Sequence, residues 1–139
     1  MERDIGFLKK HFEDIKRCYF PNWDPEGTWK IGFLGDIEGH FDTEWNAVTY
    51  CREKTILFNK EIFSKEDHQI RAVVVHEICH AVVPGEERMH GELWRKEMER
   101  VAWEAEKKEK DMADIIYYTQ RDWCYNEIFL NIKQENEKK

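Results

Sequence analysis

The sequence predicts an α+β domain in which a small antiparallel sheet packs against helices. Apolar residues recur at helical spacing near the N-terminus, short runs rich in β-branched and aromatic residues follow, and longer helical patterns fill the second half of the chain. With 139 residues the chain is long enough to bury one core, and no internal repeat or linker divides it. We therefore expect a single domain over residues 1–139.

The elements of the first half each have a local signal. A helix is predicted over residues 2–18, because its apolar side chains recur every three or four positions. A loop rich in helix breakers follows. Three strands are then predicted over residues 29–34, 47–50 and 55–58, and residues 52–54 would join the last two as a hairpin.

The next element is a helix predicted over residues 65–83. Ile, Val and Ala side chains recur in it at spacings of three and four, Ser64 is the expected N-cap, and Pro84-Gly85 would end it. The β-branched run at 73–75, read alone, could instead be a buried strand. The capping signals and the length of the pattern favour the helix.

Two further helices are predicted, at about residues 91–109 and at about residues 112–131. No Gly or Pro separates the two patterns, so the break near Asp111 is the least defined boundary in the chain. The tail at 133–139 is polar and is expected to fray.

The segment His76-Glu77-Ile78-Cys79-His80 carries the chemistry. On a helix, residues four apart point the same way, and a residue next to the first lies about 100° round the axis. Two imidazoles could therefore bind one Zn²⁺, and the Glu77 carboxylate could reach a water on that metal. On a strand, Glu77 would face away from both histidines.

A catalytic zinc site usually has three protein ligands and one open position. The expected third ligand is His90, which follows a polar loop and precedes Gly91. Glutamates near or after the motif are rival oxygen ligands: Glu87, Glu97, Glu99 and Glu104. Cys79 lies inside the motif, about 60° round the helix from His76 on the side away from His80, and is expected to be a buried structural thiol.

The order of these motifs resembles that of the SprT-like zinc metallopeptidase family. The resemblance covers about residues 47–102. It consists of a strand that resembles the form I-x-L-N, then the paired-histidine motif, and after a loop an aromatic helix start: Thr55-Ile56-Leu57-Phe58-Asn59, His76-Glu77-x-x-His80, His90-Gly91-x-x-Trp94 and Met98.

The resemblance implies a zincin-like fold with one catalytic zinc ion held by His76, His80 and His90. It also implies a zinc-dependent endopeptidase that hydrolyses peptide bonds in protein substrates through a zinc-activated water, with Glu77 as general base. The 55–58 strand could then lie along the cleft and bind substrate by strand addition. Three alternatives remain open: a zinc-binding scaffold domain with little or no proteolytic activity, paired histidines that bind no metal, and hydrolysis of an amide in a non-protein substrate.

Composition bears on the partners and the compartment. The 22 basic residues are outnumbered by 29 acidic ones, so we expect no direct nucleic-acid binding, although the resemblance leaves DNA-associated protein substrates open. No apolar run is long enough to cross a membrane. The four cysteines form no Cys-x-x-Cys ribbon and no evident disulfide framework, which favours a reducing cytoplasm. The sequence does not select an oligomeric state.

Overall fold

The computed structural model describes residues 4–34, 47–83 and 91–117, and it confirms the α+β class. A short 3₁₀ helix at Lys60–Ser64 precedes the second α-helix, and residues 110–117 are also helical. The remaining elements are, in chain order, α1 (Ile5–Tyr19), β1 (Lys30–Phe33), β2 (Ala47–Tyr50), β3 (Thr55–Phe58), α2 (Asp67–Val82) and α3 (Glu92–Ala105).

Helix α1 forms as the apolar spacing predicts. The Asp4 carboxylate caps its start by accepting a hydrogen bond from the backbone N–H of Phe7 at 3.1 Å. The inward side chains are fully or almost fully buried and pack on α2: Leu8, Phe12, Ile15 and Tyr19. The apolar face of the N-terminal helix is therefore part of the core.

The sheet is mixed, which corrects the expectation of a purely antiparallel sheet. Its strand order is β1-β3-β2: β2 and β3 form the predicted antiparallel hairpin, but β1 pairs with β3 in parallel. β3 takes the centre because three of its four side chains are buried. The chain between β1 and β3 is long enough to return in the parallel direction.

The central position of β3 also corrects the expected site of strand addition. Both of its edges are occupied, one by β1 and one by β2. A substrate backbone therefore cannot pair with Thr55–Phe58. Among the residues that the structure describes, β2 pairs with β3 along one edge and packs on α2.

Helix α2 confirms the helical interpretation of the β-branched run, but its start differs from the prediction. Ser64 ends the 3₁₀ helix and donates to the carbonyl of Glu61 at 2.8 Å, so it is not the N-cap. The N-cap is Glu66, which forms a reciprocal capping box with Gln69. The helix ends at Val82, before the proline predicted to stop it.

Helix α3 ends earlier than the predicted 91–109, and the break lies at 106–109 rather than near Asp111. The cause is a tertiary contact. The Glu109 carboxylate receives two hydrogen bonds from the Arg71 guanidinium on α2 and one from the Tyr19 hydroxyl on α1. Holding Glu109 against these two helices turns the chain before the next helical segment begins.

In the described part of the chain, no helix combines the length and the apolar character that a membrane span requires. The strand β3 and the helices α2 and α3 supply most of the remaining core, including Trp94 and Met98, which are fully buried. Helix α2 therefore packs against the sheet, against α1 and against α3.

Candidate metal centre

Helix α2 brings two imidazoles and one carboxylate to the same place. One ligand atom from each of His76, Glu77 and His80 lies within 4.8 Å of those of the other two. The two histidine rings have centroids 5.0 Å apart and planes at 69°. Both histidines are half-buried, whereas Glu77 is only 5% exposed.

This donor set fits a zinc ion. Two ring nitrogens bound to one tetrahedral zinc are about 3.3 Å apart, given Zn–N bonds of about 2.0–2.1 Å. Nitrogens already within 4.8 Å of each other reach that separation through small side-chain rotations. Imidazole is also among the ligands that zinc prefers. His76, Glu77 and His80 could therefore hold a metal ion.

Trp94 forms the floor beneath both histidines. Its indole stacks on the His80 ring, with centroids 5.5 Å apart and planes at 18°, and meets the His76 ring edge to face at 4.9 Å. Its Nε1–H donates to the backbone carbonyl of His76 at 3.2 Å. One fully buried side chain from α3 thus restricts both imidazoles.

Glu77 is held from the sheet side. The hydroxyl of Thr49 on β2 lies 2.9 Å from Oε2 of Glu77 and 3.1 Å from the backbone carbonyl oxygen of the same residue. Burial raises the pKa of Glu77 to about 7, although the hydrogen bond from Thr49 lowers it. The carboxyl group is therefore removed from water but retains one polar partner.

The sequence model of the SprT-like family matches residues 8–114. The chain belongs to the SprT-like family. The matched region is wider than the 47–102 stretch of the motifs, and it includes nearly all of α1. Neither the curated proteins nor the solved structures contain a significant match.

Membership of the SprT-like family suggests a zinc-metalloprotease-like domain, and the His-Glu-His cluster is where such a domain would bind its metal. The expected third ligand, His90, and the rival Glu87 lie outside the described residues. The site roles of His76, Glu77, His80 and His90 therefore stay predictions, although the first three side chains do converge.

The rival glutamates of α3 do not join the cluster in the described part of the SprT-like domain. Glu97 and Glu104 both pair with Arg100, each at 3.0 Å. Glu99 is exposed. Because the Arg100 guanidinium also donates to the backbone carbonyl of Tyr19, these charges tie α3 to the end of α1 rather than to the histidines.

The cysteines near the site have structural positions. Cys79 is fully buried, as predicted, and burial raises the pKa of its thiol well above the usual value. Cys51, in the turn after β2, places its Sγ 3.6 Å from the carbonyl oxygen of His80. This contact and the one from Thr49 were not predicted. A polar residue on the inward face of a strand was the available signal for Thr49, but threonine is too common in strands for that signal to stand out.

Proposed function

We propose that this SprT-like domain is a zinc-dependent endopeptidase that hydrolyses peptide bonds in protein substrates. The observation that carries the proposal is the convergence of His76, Glu77 and His80, with the carboxylate buried beside two half-exposed imidazoles. A structural zinc site is closed by four protein ligands, whereas a catalytic one keeps a position for water. Two histidines with an adjacent acid that is not needed as a ligand suit the second kind.

His90 is the proposed third ligand. It lies four residues before Trp94, whose indole touches both other imidazoles. Four residues of chain span at most about 14 Å. This tether is short enough for the His90 side chain to reach the cluster, and the motif His90-Gly91-x-x-Trp94 supports the assignment.

The residues of the cluster would each have a separate role in peptide hydrolysis. Zinc, when bound, polarises a water molecule and the substrate carbonyl. Glu77 would take the proton of the attacking water and pass it to the leaving amine. His76 and His80 would hold the metal, and Trp94 would keep their rings in place.

The outer edge of β2 is the proposed seat for the substrate backbone. β2 packs on α2, and its Thr49 contacts Glu77, so an extended peptide along this edge would pass the candidate site. Main-chain pairing of this kind uses the backbone of the substrate and makes few demands on its side chains. The net charge of −7 leads us to expect no direct nucleic-acid contact.

The experiment compares the full chain with two matched variants, Glu77→Gln and Glu97→Gln. Zinc content is measured by elemental analysis, and turnover by cleavage of fluorescently labelled casein, with and without duplex DNA. Glu77→Gln should retain zinc and lose turnover by about 10²-fold, because the general base is removed. Glu97→Gln should retain both, since Glu97 pairs with Arg100.

Equal turnover in Glu77→Gln and the wild type would remove Glu77 from its proposed role. Zinc binding with no cleavage of casein by the wild type, alone or with DNA, would favour the scaffold alternative. No zinc in the wild type would reject the metal site altogether.

A further inference from the structure

One hydroxyl group of the hairpin contacts the functional helix at two oxygens. Thr49 Oγ1 lies within hydrogen-bond distance of two oxygens of the same residue, Oε2 of Glu77 at 2.9 Å and the Glu77 carbonyl oxygen at 3.1 Å. We propose that Thr49 is a positioning residue that holds the Glu77 carboxylate in its working orientation beside the two histidines. The inference rests on the proposed function of Glu77.

The sheet places this hydroxyl. Thr49 lies opposite Ile56 in the hairpin, and Ala47 lies opposite Phe58. Directly opposed residues share a face, and Ala47, Ile56 and Phe58 all belong to the core. Thr49 is therefore the polar member of an apolar face. A valine would have the same shape and would suit a strand as well. A hydroxyl on this face costs folding free energy unless it makes a hydrogen bond.

Two separate elements then locate one carboxylate. The backbone of Glu77 belongs to α2, while Oε2 is held from β2, whose own position is set by its pairing with β3. A glutamate has three rotatable side-chain bonds, and a bond to the sheet limits their freedom. Oε1 stays outside this hydrogen bond, and a carboxylate oxygen lies within 4.8 Å of both imidazoles.

Glu77 offers the Thr49 hydroxyl two acceptors, the carboxylate oxygen Oε2 and the backbone carbonyl oxygen. The Thr49 hydroxyl has one proton, so it donates to only one of them at a time. If the carboxylate turns toward a substrate, the hydroxyl can donate to the carbonyl oxygen of Glu77 instead and is not left unpaired. The hydrogen bond from Thr49 thus favours one orientation of the Glu77 carboxylate and still allows the side chain to rotate.

The test uses Thr49→Val, which removes the hydroxyl and keeps the shape, and Thr49→Ser, which restores the hydroxyl. Thr49→Ala serves as a second hydroxyl-free variant if the valine protein folds poorly. The matched control is Thr55→Val in the same hairpin, where the hydroxyl donates only to the exposed carbonyl of Glu53 at 3.0 Å. All are measured as zinc-loaded full chains on fluorescently labelled casein.

We expect Thr49→Val to lower kcat by about 10-fold to 100-fold with KM within two-fold, the usual effect of losing a group that orients a functional side chain. Thr49→Ser should recover most of kcat, and Thr55→Val should match the wild type. Zinc content should be the same in all. Crystal structures of the wild type and Thr49→Val should show the Glu77 carboxylate displaced in the variant.

Several outcomes would overturn the inference. They are a hydroxyl-free variant with unchanged kcat, a rise in KM alone, an equal loss in Thr55→Val, or a Glu77 side chain that stays in place without the hydroxyl. If the wild type cleaves no casein, the proposed function fails, and the crystal structures still decide whether Thr49 orients Glu77. The two claims can therefore fail separately.

Discussion

The indole of Trp94 lies almost parallel to the imidazole of His80, at 18° with 5.5 Å between ring centroids. The same indole donates its only N–H to the backbone of the helix that carries His80. Its position is therefore fixed both by stacking and by a hydrogen bond. A rigid aromatic floor of this kind keeps a metal ligand from rotating away when the site is empty.

Trp94→Phe should separate these contributions, because it keeps a ring under His80 and removes the N–H. We expect the free energy of unfolding to fall by about 2 kcal/mol and zinc affinity to fall about 10-fold. Trp103→Phe on the same helix is the control, since Trp103 is 76% exposed and should change either quantity little. Urea denaturation and zinc competition titration provide the measurements. Equal effects of the two substitutions would contradict the role given to Trp94.

Removal of a histidine from the cluster should abolish the response to metal. Zinc at 100 times its Kd should stabilise the wild type by about 2.7 kcal/mol, and His80→Ala should show no such gain. His68→Ala is the matched control on the same helix, where the imidazole lies 3.3 Å from the Glu66 carboxylate. Thermal unfolding with added zinc or EDTA checks the prediction. A zinc response in His80→Ala equal to that of the wild type would exclude His80 as a ligand.

Asp24 should make the domain sensitive to acid. Burial raises the pKa of its carboxyl group, but hydrogen bonds from Thr28 and Trp29 and the charge of Lys16 outweigh burial and bring it to about 2. Since an unfolded aspartate titrates near 3.9, the stabilisation is complete above about pH 5 and is lost as the pH falls through 4 toward 2.

The shift corresponds to about 2 kcal/mol at neutral pH. Asp24→Asn should therefore lower the Tm at pH 7 and should narrow the gap to the wild type as the pH falls below 4. The exposed Asp111→Asn provides the control. Thermal unfolding between pH 2.5 and 7 measures both. A gap that stays constant over this range would show that Asp24 is not the group responsible.

The guanidinium of Arg71 should not be replaceable by an ammonium. It donates through Nε and Nη2 to the two oxygens of Glu109 and lies 2.7 Å from Asp14, and a lysine cannot reproduce this fork. Arg71→Lys should lower the free energy of unfolding by about 1–3 kcal/mol. Arg17→Lys, whose side chain is 78% exposed, should change it by less than about 0.5 kcal/mol. Urea denaturation distinguishes the two.

Local features of the fold could be predicted from the sequence. The hairpin of β2 and β3 and helix α1 follow from alternation and from helical spacing within a few residues. The convergence of His76, Glu77 and His80 belongs to the same class, because one turn of one helix determines it. Such features depend on residues that are close in the sequence, and the spacing of those residues can be read directly from it.

Features set by distant contacts could not be predicted. The parallel pairing of β1 depends on the open edge of β3, and the end of α3 depends on Arg71 reaching Glu109. The role of Thr49 requires knowing that β2 packs on α2. The prediction of Ser64 as the N-cap is wrong because the short 3₁₀ helix before α2 has no periodic pattern in the sequence.

The Glu109 carboxylate links the first helix to a segment of the chain that is translated much later. Tyr19, at the end of the first helix, bonds to a residue made 90 positions later. The first helix is therefore translated before α2, on which it packs, and before Glu109, to which Tyr19 donates. The bond between Tyr19 and Glu109 can therefore form only after α2 and α3 have been translated, so the C-terminal end of α1 gains this partner after the helices on which it packs.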